Sequence, residues 1–160
     1  MHPEGLRRAH LENMAVSNSP ETLVFFSVSE LAVVELGSRI PPWWNQLGSF
    51  DREHIVKHLD GILEPYILEQ RVPTTSLDNF LRDRGVAKVD VLHIDAEGHD
   101  LQVLDSLDIA AMPPKVILLE HKHVSADELA NLLIRLSQLD YEVETFRSDL
   151  IAIKNRTESV

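Results

Sequence analysis

Residues 89–100, Val-Asp-Val-Leu-His-Ile-Asp-Ala-Glu-Gly-His-Asp, constrain what this chain can fold into more than any other stretch. Val89–Ile94 is a short apolar run between Lys88 and Asp95, the profile of a strand buried in a parallel sheet. Such a strand carries Asp95 to its carboxyl end, where open α/β sheets place their ligands. Gly98 permits a sharp turn, and Asp100–Leu107 follows with Leu101, Leu104 and Leu107 at helical spacing. The alternation continues. Pro113-Pro114 interrupts, Val116–Glu120 reads as a second buried strand, and Ser125 caps a helix reaching Leu139. Tyr141–Phe146 and Leu150–Ile153, joined by Arg147-Ser148-Asp149, read as an antiparallel hairpin. The expectation is an α/β fold, a mainly parallel sheet with an antiparallel C-terminal hairpin.

Upstream the signals are weaker. Leu11–Ser17 and Thr22–Val28 are β-prone runs around Asn18-Ser19-Pro20-Glu21, which predicts a hairpin. Gly37–Phe50 holds Pro41-Pro42, both tryptophans (Trp43, Trp44) and Gly48, and reads as an ordered Pro/Trp loop within the domain. Asp51 caps a predicted helix from Arg52 to His58. Thr74-Thr75-Ser76-Leu77-Asp78 opens another, Leu77–Arg84, which Gly85 ends.

With 160 residues, the whole chain (1–160) suits a single domain. Its 15 basic against 26 acidic side chains leave a net charge of −11, which repels a phosphate backbone and argues against nucleic-acid binding. Zero cysteines exclude disulfides and thiolate chemistry and fit a reducing compartment, so a cytoplasmic location is expected. No long apolar run marks a membrane span. Six glycines are scattered so that no two lie within three residues of each other. Neither G-x-G-x-x-G nor a P-loop is therefore present.

Three groups of side chains carry potential chemistry. Asp95 and Glu97 alternate by two, so an extended backbone would point both carboxylates one way, to hold a metal, bind a hydroxyl or divide acid and base roles. The plainer alternative has Asp95 ending a strand and Glu97 beginning a cap. His54 and His58 are spaced i,i+4 on a helix, and His121 and His123 i,i+2 on a strand face. Each pair offers metal ligands or a general base, or else surface and capping histidines. Trp43-Trp44 would stack on a ligand or plug the core. Lys122 and Arg52 read as isolated, solvated charges.

Four segments together resemble the FkbM-type methyltransferases: Gly48–His54, Val72–Asp78, Val89–Asp100 and Lys115–His123. The likeness runs from Asn13 to Ile153, and its most specific part is Ile94-Asp95-Ala96-Glu97-Gly98 with Asp100. The family commonly has Lys where this chain has His93. The resemblance implies a Rossmann-like class I fold and an S-adenosylmethionine-dependent O-methyltransferase acting on a small-molecule hydroxyl of a sugar or natural product. It implies Asp95, Glu97 and Gly98 at the cofactor, with Asp95, His121 or His54 taking the acceptor proton, and no metal ligand set. The family's sheet order is 3-2-1-4-5-7-6. Leu11–Ser17 would be strand 3, Val89–Ile94 strand 4 and Val116–Glu120 strand 5. The first two strands and their glycine-rich cofactor loop have no counterpart here, so the domain is expected to be truncated. Weak or no cofactor binding, no tighter than roughly millimolar, is expected, because that loop lets backbone approach the cofactor. Strand 4 would be left with an exposed edge open to self-association. Two other readings stand beside methyl transfer. One is a non-catalytic remnant or interaction module; the other is a metal-dependent hydrolase using His121, His123, Asp95 and Glu97.

Overall fold

The computed structural model describes residues 10–155. Among these residues, eight strands form two four-stranded sheets, β1-β4-β2-β3 and β5-β6-β8-β7. The strands are β1 (Ala15–Val16), β2 (Thr22–Val28), β3 (Gly48–Ser49), β4 (Ile67–Thr75), β5 (Val91–Ile94), β6 (Val116–Glu120), β7 (Tyr141–Phe146) and β8 (Asp149–Lys154). The helices are α1 (Leu31–Leu36), α2 (Arg52–Val56), α3 (Leu77–Asp83), α4 (Asp100–Asp105) and α5 (Ala126–Gln138). Among the described residues, no helix is long and apolar enough to cross a membrane.

The β5–β8 sheet follows the sequence pattern closely. β5 and β6 run parallel, β8 lies antiparallel to β6, and β7 pairs with β8. Its core gathers Ile94, Leu104, Ile117, Leu119, Leu132, Leu136, Leu150 and Ala152, with Leu77 and Leu81 of α3 beside them. Helix α5 starts where expected because Ser125 and Glu128 cap it reciprocally. The Glu128 N–H donates to Ser125 Oγ at 3.3 Å, and the Ser125 N–H donates to Glu128 Oε2 at 3.0 Å. Buried Tyr141 donates its hydroxyl to the Pro114 carbonyl at 2.6 Å, and burial pushes its pKa up to about 12. β5 is less buried than its composition predicts. It is an edge strand, with Val91 57% exposed and His93 also facing out, while Ile94 is buried.

Four expectations are corrected. The sheets are mixed rather than mainly parallel, since β5/β6 and β1/β4 are the parallel pairs among the described strands. The hairpin of Leu11–Ser17 with Thr22–Val28 does not form. β4 intervenes, antiparallel to β2 and parallel to β1. The segment assigned to strand 3 therefore lies in a sheet separate from β5, although Val16 still packs on the β5–β8 core. β4 itself carries no alternation, because Glu69, Gln70 and Arg71 are all exposed. Pro73 further masks it. The Thr74 N–H donates to Glu21, so the neighbouring Pro73 nitrogen faces the other side, beyond the end of two-residue β1, and the missing donor is harmless there. Finally, α2 stops at Val56, and Leu59 and Asp60 adopt left-handed backbone where the helix was to end at His58.

The Pro/Trp loop, residues 37–50, consists of two short 3₁₀ turns running into β3. Trp44 packs on a second apolar cluster containing Val28, Ala32, Leu36, Leu47, Ile55 and Leu63, so it plugs core. Trp43 is 42% exposed and meets the His58 ring edge-on. Arg52 is paired with Glu64 at 3.2 Å rather than isolated.

Candidate active site at the turn after β5

The chain leaves β5 at Ile94 and turns sharply before α4. Glu97 has φ +46° and Gly98 has φ +94°, a left-handed pair in which glycine carries the larger departure without strain from a Cβ. Asp100, only 3% exposed, organises this turn. Its two carboxylate oxygens accept the backbone N–H groups of Ala96 and Gly98, each at 3.1 Å. Because Glu97 is left-handed, Asp95 and Glu97 do not lie on an extended backbone, and the alternation argument for a shared direction fails.

Three contacts bind the turn to the other sheet. Ser49 of β3 donates its hydroxyl to the Glu97 carbonyl at 2.9 Å and accepts the Asp51 N–H at 3.0 Å. Ser17, just past β1, lies with its hydroxyl 3.0 Å from His99 Nε2. The Phe50 ring sits 4.7 Å from the His99 imidazole. Ser17 and Ser49 are both 1% exposed. A buried hydroxyl must find a partner, so these contacts specify how the sheets meet. Burial in this seam lowers the His99 pKa, against the pull of Asp100.

A cleft of about 1020 Å³ opens beside the turn. Asp95, Glu97 and His99 line one side, Val16 and Thr75 another, and Phe50 a third. The carboxylates and apolar surfaces suit a ligand that carries hydroxyls or positive charge alongside a hydrophobic part.

His54 stands behind Glu97. It is 4% exposed, and its Nε2 lies 3.2 Å from Glu97 Oε2 yet has no hydrogen-bond partner. Its ring is 4.9 Å from that of His58 and 4.9 Å from that of His123. Burial holds the His54 pKa below the ordinary imidazole value; Glu97 opposes that shift, and His58 and His123 add to it. His58 turns away, its Nδ1 2.7 Å from the His54 carbonyl oxygen. Glu120, at the end of β6, is shifted upward, first by burial and further by Glu97 and Asp95, against Lys122 and His123.

His121 and His123 do not share a strand face, because β6 ends at Glu120 and the chain turns there. His121 does not line the cleft; its Nε2 is buried without a partner, and its N–H donates to Ser148. The structure thus brings together Asp95 and Glu97 on the cleft and His54 behind them, and leaves His121 apart. Sequence reasoning missed Ser17 and Ser49 as contacts of this turn. Nothing local distinguishes a serine that will meet a turn far along the chain. Asp100 did carry a signal, an acid two residues past a glycine at a helix start.

A model of one protein family, described as Methyltransferase FkbM domain, matches residues 5–143. No curated protein and no solved structure matches the chain.

Proposed function

The chain belongs to the FkbM methyltransferase family, and on that premise we propose that the cleft beside Asp95 is where a hydroxyl-bearing sugar or natural product meets S-adenosylmethionine. One observation carries the reading: the family's most specific motif, Ile94–Gly98, delivers two carboxylates to the wall of the 1020 Å³ cleft. When bound, the cofactor supplies an electrophilic methyl group. Asp95 accepts the proton that the acceptor hydroxyl gives up as its oxygen is methylated, and Glu97 orients hydroxyls from the same wall. Of the proton acceptors implied by the resemblance, Asp95 is favoured because it reaches the cleft, whereas His121 and His54 are absent from its lining.

The residues present fit the cofactor in part. Asp95 and Glu97 suit ribose hydroxyls and a sulfonium charge, and Arg71 on the cleft wall suits a carboxylate. The backbone cradle of closely spaced glycines is absent from the sequence. In the family's strand order two strands stand between the segments that are β1 and β5 here, and the cleft is lined by residues next to both. The cleft lies between those segments, and we read the absence of closely spaced glycines as the reason for weak cofactor affinity. The test is amide NMR with S-adenosylhomocysteine. Shifts centred on Asp95, Phe50 and Thr75 at millimolar ligand are expected; shifts centred elsewhere would overturn the assignment.

A second reading has a specific observation in its favour. β5 is an edge strand with a 57%-exposed valine, open to pairing with another chain or a second copy. On that reading the chain is an interaction module, and sedimentation would show association that Val91→Lys removes, with no response to cofactor.

A further inference from the structure

We infer that His54, Glu97 and His123 form a binding site for one divalent transition-metal ion, zinc by preference. The site shares Glu97 with the cleft wall, and its metal binding does not depend on methyl transfer. One ligand atom from each residue lies within 4.8 Å of the others. The three come from separate places in the fold: α2, the turn after β5 and the segment after β6.

Two features distinguish this cluster from chance proximity. The first is the unused nitrogen of His54. A side chain 96% removed from solvent normally has its polar atoms satisfied, yet Nε2 makes no hydrogen bond. A cation on that lone pair would satisfy it.

The second is the spacing. Glu97 Oε2 stands 3.2 Å from His54 Nε2, within ion-pair distance but without a hydrogen bond between them. Two ligands each about 2.0–2.1 Å from a zinc ion at a tetrahedral angle stand about 3.3 Å apart. That separation matches the edge of a coordination tetrahedron, and a donor atom of His123 lies within 4.8 Å of both.

Two imidazoles and one carboxylate are a donor set for zinc and its first-row neighbours, not for calcium or magnesium. Three protein ligands leave one position free. His54 closes the buried side, whereas the Glu97 side chain is 44% exposed and also lines the cleft, so the free position is reached from there. The set overlaps only partly with the His121, His123, Asp95 and Glu97 combination suggested by spacing. It keeps Glu97 and His123, takes His54, and omits His121 and Asp95.

The experiment is titration of the chelator-stripped 160-residue chain with Zn²⁺ in competition with a chromogenic chelator, and with Co²⁺ followed by its visible absorption. One ion per chain is expected. Glu97→Gln and His123→Ala each weaken zinc at least about tenfold, since even loss of an outer-shell partner costs about 10–100-fold. His93→Ala and His121→Ala leave affinity unchanged. His54→Ala empties a buried position and risks the fold, so the two more exposed ligands carry the test, with circular dichroism as the check that each variant is folded. Absence of stoichiometric binding, binding that survives both ligand variants, or equal loss in His121→Ala would each overturn the site.

Discussion

The β5–β8 sheet is assembled from strands and helices that each carry a local signal, whereas the β1–β4 sheet is closed across a long, weakly patterned connection. β7 and β8 are joined by Arg147 and Ser148 alone, and α5 lies between β6 and β7 with its own reciprocal cap. β2, by contrast, finds its partner β4 only after residues 29–66, and two-residue β1 and β3 complete the sheet. The first sheet's packing follows from local periodicity and capping; the second depends on closing long loops, which local pattern does not report. The turn after β5 belongs to the first region and is bound to the second through Ser49, Ser17 and Phe50. The candidate site therefore lies where locally specified structure meets structure specified at a distance.

The largest effect should come from the β5–β8 core. Leu104 is fully buried there, and Leu104→Ala is expected to cost about 2–5 kcal/mol in urea unfolding. Leu63→Ala, equally buried in the smaller cluster, should fall at the low end of that range, because a smaller cluster can close around the gap. A larger loss at Leu63 would show that the smaller cluster is packed as rigidly as the larger one.

Next comes the turn. Asp100→Ala strands the Ala96 and Gly98 N–H groups and should cost about 2–3 kcal/mol, with faster amide exchange at Gly98. Asp100→Asn, which keeps one acceptor oxygen, should lose less. Unchanged exchange in Asp100→Ala would mean that the turn holds itself.

Gly48→Ala probes the long-range sheet. A Cβ there would come within 2.6 Å of Phe25 Cζ, and moving that ring should cost about 1–3 kcal/mol. A stable variant would show that the β2–β3 seam is slack.

The smallest effect is the response to pH. Burial lowers the His99 pKa, so the folded state favours its neutral form. That contribution is complete above the unfolded value of about 6.5 and is lost as pH falls through it towards the lower folded value. Glu128 is held low by its hydrogen bonds to Ser125. Its contribution persists above the usual carboxylate range and fades only as pH falls through its depressed folded value. Between neutrality and mild acid, the seam should therefore weaken while the α5 cap holds. Urea midpoints of His99→Gln should be flatter than the parent across that window; an equally steep profile would show that His99 does not set the pH response.

The same division explains what the sequence made legible. Val116–Glu120, the Ser125 cap and the Tyr141–Phe146 strand were readable because each is coded by its immediate neighbours. β4 was not, since its exposed Glu69-Gln70-Arg71 and Pro73 look like loop until β2 is beside them. Asp95 and Glu97 stand out as candidate residues in the Ile94–Gly98 motif, but their directions do not follow from it, because the left-handed Glu97 breaks the period of two. His54 was recognised through its spacing to His58, yet its important neighbours, Glu97 and His123, come from other elements. Those contacts exist only after tertiary packing.

Asp95 and Glu97 line the cleft, and the sequence carries no closely spaced glycines to form a backbone cradle for a cofactor beside them. Calorimetric titration of this 160-residue chain with S-adenosylmethionine tests the consequence most directly. The expected dissociation constant is roughly millimolar or weaker, with binding lost on Asp95→Ala. Micromolar binding by the chain alone would contradict it.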